Sequence, residues 1–205
     1  MRILAAGRRT VRFLLVAIAS LTAALLSGCH EDAVTYRFIG DSIIKRWDLQ
    51  NSFPTLVTEN CGLSGSGLEH LQSYAGRCHG RQVVVVCGTN DCWCPSTQEE
   101  VADYAVKYVD ALMALDADRV YVFSILPRRY ENDPEKQYND NIRMMNRAIS
   151  AEIATRLIGT VCYLDVYDLF LDKDGLFNMN LVYDGLHPNP EGYEILTRAL
   201  NKKIL

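Results

Sequence analysis

The chain has 205 residues, of which 49% are hydrophobic and 22% charged, and its formal net charge is -4. That length suits one compact domain once a leader is set aside, and the composition is that of a globular protein with a sizeable core. The acidic balance, with no clustered basic stretch in the body of the chain, argues against a nucleic-acid partner.

The first segment reads as an export signal. Arg2, Arg8, Arg9 and Arg12 precede an apolar run from Phe13 to Leu26. The run is too short to span a bilayer comfortably and matches a secretory apolar region. It ends in Leu26-Ser27-Gly28-Cys29, which resembles a bacterial lipobox, where cleavage leaves a lipid-bearing Cys at the new N-terminus. The expected organisation is a signal peptide over 1–28, a lipidated tether over 29–33 and one domain over 34–205. An ordinary signal peptide with a chance Cys, or an uncleaved anchor, is the alternative. Four of the 21 basic residues and none of the 25 acids lie within 1–28, so a mature chain would carry 17 against 25, a charge of -8. Such a surface does not bind anionic lipid, and membrane attachment would rest on the lipid alone. The expected location is the periplasmic side of a bacterial envelope, and His30 after the Cys favours an outer membrane in a Gram-negative host.

Five strand-like runs follow: Val34–Ile39, Thr55–Asn60, Gln82–Cys87, Arg119–Ile125 and Thr160–Leu164. Val83-Val84-Val85-Val86 is apolar without alternation, as a strand buried on both faces should be. Helical patterns lie between the runs. Ile43 to Asn51 reads as a helix after the first strand. Thr97–Leu115 opens with Ser96-x-x-Glu99 and Thr97-x-x-Glu100, either of which can form a capping box. Tyr138–Leu157 carries Ile142, Met145, Ile149 and Ile153 on one face, with Gly159 as a stop. Pro190–Leu200 begins with proline at an early helical position. Alternating strand and helix predicts an α/β fold, a three-layer α/β/α sandwich on a five-stranded parallel sheet of flavodoxin-like topology. Ligands of such sheets sit beyond the carboxyl ends of the strands, near a switch in strand order.

Besides Cys29, six cysteines remain: Cys61, Cys78, Cys87, Cys92, Cys94 and Cys162. An exported protein can oxidise them, and six allow 15 pairings. Cys87 and Cys162, in apolar runs, are expected as buried thiols. A bridge from Cys61 to Cys92 or Cys94 is the pairing expected here. No histidine completes a familiar metal spacing around Cys92-Trp93-Cys94.

Three loops that follow strands carry chemistry-bearing residues. Gly40-Asp41-Ser42 follows the first strand, Gly62-Leu63-Ser64-Gly65 the second and Gly88-Thr89-Asn90-Asp91 the third. A serine at a helix start has backbone N–H groups nearby that favour an attacking alkoxide, although many such serines are only caps. Asn90 and the backbone N–H groups of Gly65 and Ser42 can donate to an oxyanion. Late in the chain, Asp184-Gly185-Leu186-His187-Pro188-Asn189 places a carboxylate three residues before a histidine. That spacing lets Asp184 hold one imidazole nitrogen while the other faces a serine. Trp93, Arg128, Arg129 and Tyr130 fall on loops expected near this edge and are candidates for reading the leaving group.

Carrying these four blocks, the chain resembles the SGNH hydrolases of the GDSL esterase/lipase family. The blocks that carry Ser, Gly, Asn and His there are Phe38–Ser42, Asn60–Gly65, Gly88–Asp91 and Asp184–Asn189 here, and the resemblance covers about residues 34–205. Ser124–Arg128 also resembles members similar to platelet-activating-factor acetylhydrolase. The resemblance implies a nucleophile at Ser42, a general base at His187 oriented by Asp184, and an oxyanion hole made of Gly65, Asn90 and the Ser42 amide. Gly65 is preferred to Gly62 for its Ser-Gly position in the block. It implies a serine esterase that needs no metal or organic cofactor. A short, acetyl-like acyl group on a glycan or another envelope-facing substrate is the expected ester. The same residues fit a thioesterase, a lysophospholipase or an acyltransferase, and a rival of another class is a flavodoxin-like binding lipoprotein without chemistry. The Cys92-Trp93-Cys94 stretch beside Asn90 departs from the family pattern. Oligomeric state is not legible in the sequence.

Overall fold

The computed structural model describes residues 34–93, 95–129 and 137–204. The proposed leader, the tether with Cys29, and the residues Cys94 and Tyr130 lie outside the described residues. Within them, five parallel strands form one sheet in the order β2-β1-β3-β4-β5. In chain order these are β1 (Thr35–Gly40), β2 (Val57–Gly62), β3 (Gln82–Val86), β4 (Arg119–Phe123) and β5 (Val161–Leu164). The chain steps from β1 outward to β2, then returns across β1 to build β3, β4 and β5 on the other side. The order therefore reverses between β1 and β3, and the loops leaving those two strands diverge there.

Strand alternation sorts the side chains between two apolar layers. Val83, Val85 and Cys87 join Ile39, Val120 and Val122 on one face, where α3 (Leu68–Gln72), α4 (Gln98–Ala114) and α5 (Gln137–Arg156) pack. Val84 and Val86 join Phe38, Tyr121 and Phe123 on the other face, against α1 (Ser42–Arg46), α2 (Leu49–Ser52) and α6 (Pro190–Ile204). β3 is apolar throughout because both of its faces are covered. Trp47 anchors the second layer, with its ring 5.6 Å from Phe38, 5.7 Å from Phe53 and 5.6 Å from Tyr193. Among the described residues no helix is long and apolar enough to cross a membrane.

Most expected elements form, with their ends shifted by a residue or two, except that α6 runs four residues past its expected end at Leu200. α4 has the capping box foreseen at Thr97 and Glu100. Three expectations are corrected. The helix expected from Ile43 to Asn51 is broken into α1 and α2, because Trp47 leaves helical geometry at ψ 120° to reach the core. Asn60 repairs the break by donating from Nδ2 to the carbonyls of Ile44 (2.8 Å) and Trp47 (3.3 Å). The bridge from Cys61 to Cys92 does not form, and both are free thiols, as are Cys78, Cys87 and Cys162. The Cys92 thiol is buried and donates to the Thr89 carbonyl at 3.2 Å. Cys61 lies on the edge strand, its thiol beside the Tyr74 hydroxyl. Cys87 is buried as expected, whereas Cys162 is only half-buried.

The exit from β4 is held by α5. Asn146, itself buried, accepts the Ile125 N–H on Oδ1 and donates from Nδ2 to the Ile125 carbonyl, both at 2.8 Å. Two turns earlier, Asn139 pairs with the Arg128 backbone in the same way, at 3.0 and 2.8 Å. The two amides bracket residues 125–128, which lie beyond the end of β4. Replacing Asn146 with Ala strands a buried N–H and a buried C=O, each worth about 1–3 kcal/mol. Asn146→Ala is therefore expected to lose at least about 2 kcal/mol in urea unfolding; a loss below about 0.5 kcal/mol would contradict the bracket.

Candidate active site

Ser42 is the first residue of α1 and is 5% exposed. β1 delivers it to the sheet edge through Gly40, where an added Cβ would run into the Val86 carbonyl oxygen. Asp41 then caps the helix, its Oδ1 accepting the Ile43 N–H at 2.8 Å. Because α1 is a single turn, its dipole is small, and nearby N–H groups rather than a long helix supply the local positive field.

The chain returns to Ser42 after 145 residues. Ser42 Oγ lies 2.9 Å from His187 Nε2. On the far side of the ring, Nδ1 lies 2.7 Å from Asp184 Oδ2 and 3.0 Å from Oδ1. Asp184 also closes its own turn, Oδ1 accepting the N–H groups of His187 (2.9 Å) and Leu186 (3.2 Å). Gly185, at φ 76°, supplies the left-handed step that this turn needs. Partial burial opposes ionisation of Asp184, but the His187 amide, the imidazole and the Leu186 amide outweigh it and hold the carboxyl below its ordinary range. Arg46 adds an exposed partner at 3.8 Å. The Asp-His-Ser chain is continuous: the carboxylate fixes the Nδ1–H tautomer, which leaves Nε2 to accept from the serine.

The loops after β2 and β3 meet at the end of β1. Leu63 N donates to the Gly40 carbonyl at 2.9 Å, which ties the β2 loop to the end of β1. Asn90 donates from Nδ2 to the Ser66 carbonyl at 2.8 Å, which ties the β3 loop to the β2 loop. One amide proton of Asn90 is thus used for structure, and the second is free of that bond. Gly65 stands exposed at φ 78°, a conformation that a side chain would strain.

Sequence reading missed what holds these loops. Asp91 accepts from Leu68 N (3.0 Å) and from the Tyr104 hydroxyl (2.8 Å). It occupies the space that a Cβ at Gly67 would need. Arg128, expected to face a leaving group, is 6% exposed; its Nη1 donates to the Thr89 carbonyl at 2.7 Å and lies 3.7 Å from Cys92 Sγ. The guanidinium therefore buttresses the Asn90 loop. Trp93 is half-exposed, with the guanidinium 6.0 Å from its ring centre. The signal for Asp91 was present in Gly88-Thr89-Asn90-Asp91, but its partners come from residues that only the fold brings near. Among the described residues, no group of three or more His, Cys, Asp or Glu side chains is placed to hold a metal ion.

Asp41 carries an electrostatic cost. Its Oδ2 is buried with no hydrogen-bond partner among the described residues. Burial pushes the carboxyl up to about 7; the Ile43 amide and Arg128 pull the other way, while Asp91 adds to the rise. The folded chain therefore holds this proton across a range where the unfolded chain has lost it. The stability Asp41 contributes is complete below about pH 4 and is lost as pH rises through about 7. Asp41→Asn keeps the capping acceptor and removes the charge. Its melting temperature relative to the parent is expected to climb between pH 4 and pH 8; a constant difference would contradict the assignment.

The model of the GDSL-like Lipase/Acylhydrolase family matches residues 38–195. The chain is 27% identical over 184 residues to the human platelet-activating factor acetylhydrolase IB subunit alpha1, covering 82% of this chain and 74% of that protein. It is 23% identical over 187 residues to the rat alpha2 subunit, covering 86% and 79%. Its fold is similar to a GDSL-like lipase from Bacteroides thetaiotaomicron (TM-score 0.65, 20% identity, 90% and 94% of the two chains). It is also similar to an acetylxylan esterase from Geobacillus stearothermophilus (TM-score 0.56, 16% identity, 83% and 94%). With the family model spanning every strand loop of the site, the chain belongs to the GDSL-like lipase/acylhydrolase family of ester-hydrolysing enzymes.

Proposed function

We propose that this protein is a serine esterase that removes short, acetyl-like acyl groups through a Ser42-His187-Asp184 triad. The observation that carries this reading is the 2.9 Å contact between Ser42 Oγ and His187 Nε2, with Asp184 closing the other side of the ring. Ser42 attacks the ester carbonyl as His187 takes its proton. The tetrahedral oxyanion is met by the N–H groups of Ser42 and Gly65 and by the second amide proton of Asn90. His187, now an imidazolium stabilised by Asp184, protonates the leaving alcohol. Water then attacks the acyl ester left on Ser42 while His187 takes its proton, and His187 returns that proton to Ser42 Oγ as the acid is released. Arg128 and Asp91 position the oxyanion loops and do not touch the reacting atoms.

The short acyl group is supported by two similar proteins, a platelet-activating factor acetylhydrolase and an acetylxylan esterase, whose names both specify acetyl removal. A glycan or another envelope-facing ester is the substrate class in this reading. The reading includes export and a lipid anchor at Cys29, supported by the lipobox-like Leu26-Ser27-Gly28-Cys29.

Hydrolysis of p-nitrophenyl acetate tests the triad. Ser42→Ala and His187→Ala are expected to lower kcat by at least about 10⁴-fold with circular dichroism unchanged. Asn90→Ala is expected to lose about 10²- to 10³-fold. Turnover within tenfold of the parent in either triad variant would remove the assignment. For the anchor, bacterial expression with labelled palmitate is expected to label the full chain and not Cys29→Ser; equal labelling of both would contradict lipidation there.

A further inference from the structure

Two carboxyl groups stand next in sequence to two of the oxyanion donors. Asp41 precedes Ser42, whose N–H is one donor, and Asp91 follows Asn90, whose amide is another. The triad uses neither carboxyl as acid or base. Asp41 is buried and Asp91 is half-buried.

Their surroundings differ. Asp91 Oδ2 receives two donors, Leu68 N at 3.0 Å and the Tyr104 hydroxyl at 2.8 Å. Such a pair suits an anion. Asp41 receives the Ile43 N–H on Oδ1 at 2.8 Å, while Oδ2 is buried with no hydrogen-bond partner among the described residues. A carboxylate there would leave a charged oxygen without a donor in a low-dielectric site, a state that a neutral acid avoids. The neighbours agree with this. Cys87 at the end of β3, Tyr108 on α4 and Tyr193 on α6 all feel the Asp41 charge, and burial holds each of them protonated. Asp91 on the β3 loop opposes ionisation of Asp41, and Glu69 on α3 acts in the same sense on Asp91. Arg128 is the cation that favours ionisation, and its Nη1 is bonded to the Thr89 carbonyl.

The charge of Asp41 bears on the reaction through α1. Its carboxyl caps the first turn, on the Ile43 N–H, and the Ser42 N–H belongs to the same positive helix end. A neutral acid keeps the cap and leaves that local field available to an oxyanion. A carboxylate cancels the field and repels the charge that develops. The imidazolium gains little in return, because Asp184 already faces its Nδ1.

We propose that Asp41 is a positioning residue of the esterase site that acts through the Ser42 N–H: as a neutral acid it caps α1 without opposing the oxyanion, and its ionisation lowers turnover. The proposal rests on the esterase reading above. The test measures kcat for p-nitrophenyl acetate from about pH 5.5 to about pH 9, with the parent, Asp41→Asn and Asp41→Ser. Both substitutions keep a capping oxygen and remove the charge. The parent should lose turnover as pH rises through about 7. The ratio of variant to parent kcat should climb at least about tenfold across the range, a smaller effect than loss of a whole oxyanion donor. A ratio that stays constant, at whatever level, or falls with pH would overturn the proposal, since a purely structural role changes kcat alike at every pH. The parent profile is decisive even where neither variant folds: turnover level up to about pH 9, with circular dichroism unchanged, overturns the proposal and leaves the esterase standing. A parent that turns over no ester at any pH overturns both.

Discussion

Gly40 and Val86 approach so closely at the ends of β1 and β3 that no side chain can stand between them. The approach is a consequence of parallel pairing, in which Gly40 sits opposite Val86 and Asp41 N reaches the Val86 carbonyl at 3.3 Å. It fixes the point at which the chain leaves β1, and Ser42 is two residues further on. The neighbouring loops take their places from the same corner. The β2 loop bonds back to the Gly40 carbonyl through Leu63, and the β3 loop bonds to the β2 loop through Asn90 and Ser66. The late Asp184–Asn189 turn then closes on a serine whose position is already set.

The site is held by buried polar groups that a purely structural corner would not need. Asp41 and Asp91 share a low-dielectric region with Arg128, and burial moves both carboxyls above their ordinary values. Asp91 is compensated by Leu68 and Tyr104, whereas Asp41 has one donor for two oxygens. The protein tolerates that cost one residue from Ser42, a pattern expected where stability is given up for function. The rigid parts lie elsewhere. Asn139 and Asn146 lock the β4 exit onto α5, and through Arg128 that lock reaches the Asn90 loop. Asp184 and His187, by contrast, sit in a short turn with Asp184 half-exposed.

The sheet and the four site loops were legible because both are local in sequence. The valine run of β3 announces a doubly covered strand, and Asp184 lies three residues from His187 in the turn that pairs them. What escaped depends on distant partners. Trp47 breaks the expected helix because aromatic neighbours from β1 and α6 draw it inward and Asn60 repairs the carbonyls. Arg128 looked like a loop residue, yet the β3 loop buries it. Cys61 lies within β2 and Cys92 follows β3, and Cys61 sits on the edge strand beside Tyr74 while Cys92 turns under Arg128. No spacing rule carries that information.

The central claim is that Ser42 is a nucleophile activated by His187. Treating the folded protein with a fluorophosphonate and mapping the adduct by mass spectrometry tests it most directly. The account predicts a single adduct on Ser42, formed far more slowly in His187→Ala. A folded protein that takes up no label, or takes it up on another residue, would contradict it.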